Sequence, residues 1–455
     1  MKDLTKGNIS KNLWALALPT LIAAMFNYAL SVIDQVMLGK IVGDVGLAAV
    51  GATRSYFNIL WGIEGSLVFA FGSHLAVLVG QGDGGSIKRA YKINMRMNLL
   101  FGFAIAACSI ACWRPLFSFL NVPADVFDEA KRYYVVYAAS FMLFVINGNL
   151  STALVSFGNS LFPMRVGVVS GVCNVALNYV LIVPCKMGAA GAALATLIVS
   201  LGSCAAYVLK LRAELNNLEG EHARVSVADY APIFRLVLPT ALQQMMMHLL
   251  SFVVQPSINM LGKTSIAAIA VGDSVFGIIM IGYKHHSHGL SVLTGQALGH
   301  GQPSLSRKGV RITVRQILML TAPVVLLLLI FPRVAAFLFL DDPYGETAML
   351  SIHYIYCCIP FAFALAFSNM FHNFFRGVLR PGMNIVGGLA LGITRAVLTI
   401  SLIPVIGVYG AYIGYSAGWT ADFLAMWIIY LSKKWKTKDY LELERAERAA
   451  QQSVT

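Results

Sequence analysis

An all-α integral membrane protein, with twelve transmembrane helices in two parallel six-helix repeats, is the fold class this sequence predicts. Three observations carry it. Of 455 residues, 58% are hydrophobic and 12% charged, against about 25% charged in ordinary soluble domains. Apolar runs long enough to cross a bilayer, which takes about 20 residues, recur twelve times. The second half of the chain also echoes the first, at an offset of 218 to 223 residues.

The apolar runs fall at 13–38, 46–72, 93–115, 132–156, 165–184 and 189–211, and again at 232–261, 265–290, 312–331, 349–371, 383–404 and 408–432. The opening MKDLTKGNISKNLWALALP has no small-residue cleavage site after a short apolar core, so no removable signal peptide is expected. The first run is then the first span. Residues 1–211 form an N-lobe, 212–231 a cytoplasmic linker, 232–432 a C-lobe and 433–455 a cytoplasmic tail.

The echo is residue by residue. LPTLIAAMFNYALSVIDQVMLGK returns as LPTALQQMMMHLLSFVVQPSINMLGK, so Pro19 matches Pro239. Gly51 matches Gly272, and Gly62 matches Gly282. Gly80-Gln81-Gly82-Asp83 matches Gly299-His300-Gly301-Gln302, and Gly188 with Gly191 matches Gly407 with Gly410. Six spans per copy is an even number, so both copies enter the membrane from one side. Repeats of this kind are related by an axis along the membrane normal, with the substrate site between the halves.

Net charge is +13, which in a soluble protein would suggest nucleic acid. Here 24 of the 34 Lys and Arg fall on one side of the twelve spans and 7 on the other. The positive-inside rule places both termini in the cytoplasm, and the charge becomes a topology signal. The tail SKKWKTKDYLELERAERAAQQSVT reads as a solvated segment with a basic, topology-setting flank. The seven cysteines lie mostly inside apolar runs, without disulfide or metal spacing.

Four acids lie within spans: Asp34, Glu64, Asp273 and Asp422. A carboxylate at the bilayer centre costs about 2.5–3.5 kcal/mol to insert and therefore marks a pathway, a relay or a buried pair. Asp34 stands in a first span that the repeat copy reproduces without the acid. Its structural reading is an ion pair with Arg54, at similar depth across the turn near Asp44; its functional reading is a carboxylate that alternates between a proton or cation and internal partners. Asp422 is expected to pair with Arg395. Aligning Gly62 with Gly282 puts Glu64 on Lys284, so symmetry-related walls of the cavity would carry opposite charge. Lys284-His285-His286-Ser287-His288 puts His285 and His288 on one helix face. No HExxH-type partner accompanies them, so a wet cavity wall is favoured over a metal site. Asn174, Asn178 and Thr196 suit helix–helix hydrogen bonding, while His372 reads as an isolated residue, packed or water-facing rather than a ligand.

Taken together, the Pro19…Asp34-x-x-Met37-x-Gly39…Leu47-Ala48-Ala49-Val50-Gly51 block, the paired Gly-x-Gly segments, Arg376-Gly377 and the stretch from Gly188 to Thr196 resemble the multidrug and toxic compound extrusion (MATE) family. The resemblance runs from Leu13 to Leu431. It implies two six-helix lobes and an antiporter that exports organic cations or other amphiphiles against protons or sodium, with no enzymatic activity. It places Asp34 on the family's first-helix carboxylate and Asn178 and Thr196 on neighbouring polar positions, together the cation-coupling set. Asp273, Glu64, Lys284, His285 and His288 are the expected cavity residues. Ile182, Met247 and Leu365 stand where family branches carry further acids, so neither branch's full ion site is present. No cofactor is expected beyond the coupling ion. The expected partners are a small-molecule substrate and the lipid bilayer, without nucleic acid, for a monomer in the bacterial inner membrane. Two other readings stand beside this one. A flippase for a lipid-linked precursor would need a strongly basic cavity. A membrane-embedded metalloenzyme would be built on His285 and His288.

Overall fold

The computed structural model describes residues 3–42, 44–119, 126–219, 225–226, 229–334, 337, 340 and 342–452. They form fifteen α-helices. In the first half these are α1 (Ile9–Met37), α2 (Asp44–Gln81), α3 (Gly84–Ala111), the short α4 (Trp113–Phe119), α5 (Phe127–Ser156), α6 (Leu161–Ile182) and α7 (Gly188–Asn216). In the second half they are α8 (Tyr230–Asn259), α9 (Gly262–Gly299), α10 (Pro303–Ile330), α11 (Glu346–Cys358), α12 (Ala362–Gly377), α13 (Met383–Ile406), α14 (Val408–Ser432) and α15 (Lys438–Gln452). Every predicted span is helical. Ten membrane-crossing segments satisfy both length and apolarity among the described residues. The two remaining predicted spans are α8, which contains Gln243, Gln244 and Gln255, and α14, rich in Gly, Tyr and Trp.

One predicted span is two helices. A 3-10 turn, Ile359–Phe361, separates α11 from α12. Its centre is Pro360, which has no N–H for the helical ladder and kinks it there. The repeat is also written in the backbone. Gly82 (φ 72°) and Gly301 (φ 69°), and Gly188 (φ 60°) and Gly407 (φ 62°), take left-handed conformations at equivalent positions. The Gly-x-Gly segments are therefore tight turns; in the first, Asp83 caps α3 by accepting from the Ser86 N–H at 3.1 Å.

Contacts divide the chain into two compact units. One is built on Leu18–Val237, and the other on Leu4–Ala17 together with the chain from Leu238 onward. In the first, Phe71, Leu75, Ile87, Leu150, Leu154 and Leu211 form a core. Asn94 Nδ2 donates to Asn149 Oδ1 at 3.3 Å, and Asn147 Nδ2 to the Ser200 carbonyl at 2.9 Å. Such interhelical bonds substitute for a hydrophobic drive that lipid cannot supply. Large apolar side chains such as Leu100 (69% exposed) and Phe103 (63%) face outward, as lipid contact requires. In the second unit the first turns of α1 are tied down. The Leu4 N–H donates to Gln296 Oε1 at 2.9 Å, Gln316 Nε2 donates to the Ser10 carbonyl at 3.1 Å, and Trp14 meets the His286 ring edge-on at 4.4 Å.

The tail departs from expectation. Instead of being solvated, it is docked. Trp435, 2% exposed, stacks on Tyr430 and meets Phe374 edge-on at 4.9 Å. The Tyr440 hydroxyl donates to the Pro303 carbonyl at 3.1 Å. Glu447 accepts from the Ser304 N–H at 3.0 Å, and Glu444 gathers Arg307 (2.7 Å), Lys436 (2.6 Å) and Arg448 (3.2 Å). Charge along the sequence suggested solvent, but an aromatic anchor and a buried carboxylate convert the same residues into a clasp on the start of α10. Trp435→Ala should destabilise this unit by about 3–5 kcal/mol, the range for a fully buried aromatic, read as a lower melting temperature in detergent. Burial acts to raise the Glu444 carboxyl, but Lys436, Arg307 and Arg448 together hold it below the usual carboxylate value. A depressed value means its contribution to docking is complete at neutral pH and lost as pH falls through the bound-state value. Amide protection over α15 should accordingly drop in acid below about pH 4, and in Glu444→Gln it should be weak at every pH.

Candidate functional site

The sequence places one acid, Asp34, near the end of α1, and the fold gives it a polar string. Asn178 on α6 donates from Nδ2 to Asp34 Oδ1 at 2.7 Å. The same Nδ2 lies 3.3 Å from Asn174 Oδ1, one turn earlier. Asn174 Nδ2 donates to Thr196 Oγ1 on α7 at 3.3 Å, and Thr196 returns its hydroxyl proton to the Ala192 carbonyl at 2.9 Å. Asn178 is 1% exposed, and its Oδ1 has no partner among the described residues. The string thus leaves the Asn178 oxygen without a partner among the described residues, on the same amide that holds Asp34.

These residues open onto a cavity of about 780 Å³ within the first unit. Its polar wall is Asn27, Asn58, Ser170, Asn174 and Thr196; its aromatic wall is Phe57, Trp61, Tyr133, Tyr137 and Phe144. Trp61 stacks on Phe144 (4.9 Å, 25°) and Tyr133 on Tyr137 (5.3 Å, 20°). Among the described lining residues Asp34 alone is charged. A cavity with stacked rings and one carboxylate suits a cationic or amphiphilic guest through cation–π and charge attraction.

The other expected residues are dispersed. Glu64 is 9% exposed and lies against α5, where a Cβ on Gly148 would stand 2.1 Å from its Oε1; it is not in the lining of this cavity. Asp273 accepts from the Tyr354 hydroxyl at 2.9 Å. Gly272 leaves room for that ring, since a Cβ there would meet it at 2.4 Å. Lys284 is exposed and His285 and His288 half-buried, while His286 is the fully packed member of that run. No group of three His, Cys, Asp or Glu able to hold a metal forms among the described residues.

Two pairings need correction or fall outside view. Asp422 is held by His372, with Nε2 at 3.0 and 3.2 Å from its oxygens, and not by Arg395. Arg395 instead lies over the Tyr415 ring at 3.8 Å. Depth matching along two helices located the charges but not the faces they project from. His372 is therefore not isolated. The Arg54 side chain lies outside the described residues, as does that of Met247. The aromatic wall had no distinguishing signal in sequence, because a Trp or Tyr in an apolar run reads equally as core.

Two six-helix repeats, the first enclosing an acid-bearing cavity, define a membrane transporter. The MatE family profile matches residues 19–180 and 239–405, once in each repeat, and the chain belongs to that family. It is 23% identical over 75% of its length to a protein of Shewanella oneidensis named FAD transporter, covering 78% of that protein. It is 23% identical over 96% of both chains to a probable multidrug resistance protein NorM of Thermotoga maritima. The fold matches the crystal structure of an aspartate-to-asparagine mutant of the Vibrio cholerae MATE transporter VcmN. There the TM-score is 0.89 at 19% identity, over 95% of this chain and 98% of that one. A MOP superfamily transporter of Pyrococcus furiosus, described as having a binding pocket of reverse polarity, gives a TM-score of 0.85 at 18% identity, over 96% and 98%.

Proposed function

We propose that this multi-pass transporter is a cation-coupled antiporter that exports organic cations or other amphiphilic small molecules by alternating access. The observation that carries the reading is the Asp34–Asn178–Asn174–Thr196 string opening onto an aromatic cavity whose one charged described residue is Asp34. A proton or sodium ion on Asp34 must favour one facing state and substrate the other, because a ligand moves an equilibrium only by its differential affinity. Purified protein in liposomes, loaded with ethidium, tests this with proton and sodium gradients imposed separately. Ethidium movement driven by one gradient supports coupling, and movement indifferent to both refutes it.

The printed name of the Shewanella relative raises a second reading, an anionic flavin nucleotide as cargo. The stacked rings would suit a flavin, but its pyrophosphate finds no Lys or Arg among the described lining residues. The same absence weighs against a lipid-linked pyrophosphate precursor. We place the chain in the bacterial inner membrane as a monomer, with no nucleic acid partner and both termini cytoplasmic. A cysteine introduced at Asp342 should then react with an impermeant maleimide in intact cells, and one at Glu219 only after permeabilisation. The reverse pattern would invert the topology.

A further inference from the structure

The second unit buries a string of its own. His372 on α12 is 6% exposed, Asp422 on α14 2%, Gln243 on α8 2% and Arg376, one turn after His372, 6%. The directions of the bonds joining them follow from the two ends. Arg376 can only donate, so Gln243 presents Oε1 to its Nη2 at 3.3 Å. That leaves Gln243 Nε2 facing His372 Nδ1 at 3.4 Å. Nδ1 must then accept, which puts the ring proton on Nε2, where the Asp422 carboxylate receives it. The α12 backbone is anchored here as well, since Asn384 Nδ2 donates to the His372 carbonyl at 3.1 Å. Asp422 sits in space that only glycine leaves open: a Cβ on Gly387 would lie 2.3 Å from its Oδ1. The arrangement is satisfied in one protonation state, a neutral imidazole beside an ionised carboxylate.

We propose that His372 is a proton-binding site of the second unit, and that its occupancy is passed through Gln243 to Arg376. A second proton on the ring goes to Nδ1, where it faces the Gln243 amide N–H. Two donors now oppose each other. The amide relieves this by turning over, so that Oε1 accepts from Nδ1. Its NH₂ then faces the guanidinium, and Arg376 loses its acceptor on α8. Proton uptake thereby reverses the α8–α12 bond at His372 and costs the one at Arg376. Among the described residues the neighbouring charges are placed as follows. From α9, Tyr283 lies in the field of Asp422, and Lys284 and His288 in that of Arg376. The α13 cation Arg395 is over Tyr415, and the α10 cation Arg307 is paired with Glu444. Asp422 is the only acid of α14. The counter-charge for a protonated His372 is therefore Asp422, while Arg376 and Lys284 stand beyond the amide.

This site is separate from the coupling role proposed for Asp34, and the test keeps the two apart. Hydrogen–deuterium exchange is measured on the full chain in detergent between about pH 8 and pH 5.5, the range in which an imidazole changes charge, with correction for intrinsic rates. In the wild type, α8 amides around Gln243 should exchange about tenfold faster on the acid side, the factor that one hydrogen bond to a charged group represents. His372→Gln should show no such step, and Asp34→Asn should keep it. Gln243→Leu should exchange fast at both ends of the range, while Gln243→Glu, whose carboxylate accepts from Arg376 whether or not the ring carries a second proton, should remain slow at both. These two variants decide the matter if His372→Gln does not fold. A wild type without the step, a step surviving in His372→Gln, or one abolished by Asp34→Asn would each overturn the proposal.

Discussion

Asp34→Asn is expected to reduce gradient-driven transport to the level of protein-free liposomes while leaving insertion and monodispersity unchanged. Asparagine keeps the shape of the side chain and an oxygen for the Asn178 amide, whose 2.7 Å bond therefore persists in weaker, uncharged form. The charge that a coupling ion would neutralise is gone. Moving a two-state equilibrium from one extreme to the other takes a differential affinity of about 10⁴, and a site with no titratable group supplies none of it for a proton. Asn178→Ala is the graded companion. It leaves Asp34 ionisable but removes its donor, a bond to a charged group of about 1.5–3 kcal/mol, so transport should fall by roughly tenfold or more rather than vanish. Full activity in Asp34→Asn would exclude the residue as the coupling site. Failure of that variant to accumulate in the membrane would point instead to structural pairing within the first unit.

The parts of this molecule legible in sequence were those in which one residue type has one physical meaning. Long apolar runs mark membrane helices, because backbone polar groups in lipid must be satisfied within the segment. Glycines at matched offsets marked turns, and Gly82 with Gly301 and Gly188 with Gly407 do take matched left-handed conformations. A lone acid in an apolar span marked Asp34. What sequence could not give was which face each charge projects from. Arg395 and Asp422 lie at comparable depth, yet Arg395 turns to Tyr415 and Asp422 to His372. The clasp of the tail was hidden for a related reason. Glu444, Arg307 and Lys436 are ordinary surface residues until Trp435 finds its pocket and brings them together.

Gly410→Ala should be among the most destabilising single-methyl changes in the chain. Gly410 follows the left-handed turn at Gly407 and opens α14 against the end of α13. A Cβ there would stand 2.5 Å from the Ile403 nitrogen and 2.6 Å from the Leu402 carbonyl carbon. Both obstacles are backbone, so no side chain can rotate away and the two helices must separate. Overpacking of this kind costs about 1–3 kcal/mol, occasionally more. The repeat supplies an internal comparison at Gly191, where the nearest atoms, in Met187 and Leu181, lie at 3.1 to 3.2 Å; Gly191→Ala should cost less. At Gly277, with nothing within 4 Å, alanine should be neutral or stabilising by about 0.5–1 kcal/mol, since it removes glycine's extra freedom within a helix. Melting temperatures of the three variants in detergent should therefore fall in the order Gly277→Ala, Gly191→Ala, Gly410→Ala. If Gly410→Ala melts with the wild type, the close approach of α13 and α14 at this turn is wrong, whatever the remaining variants do.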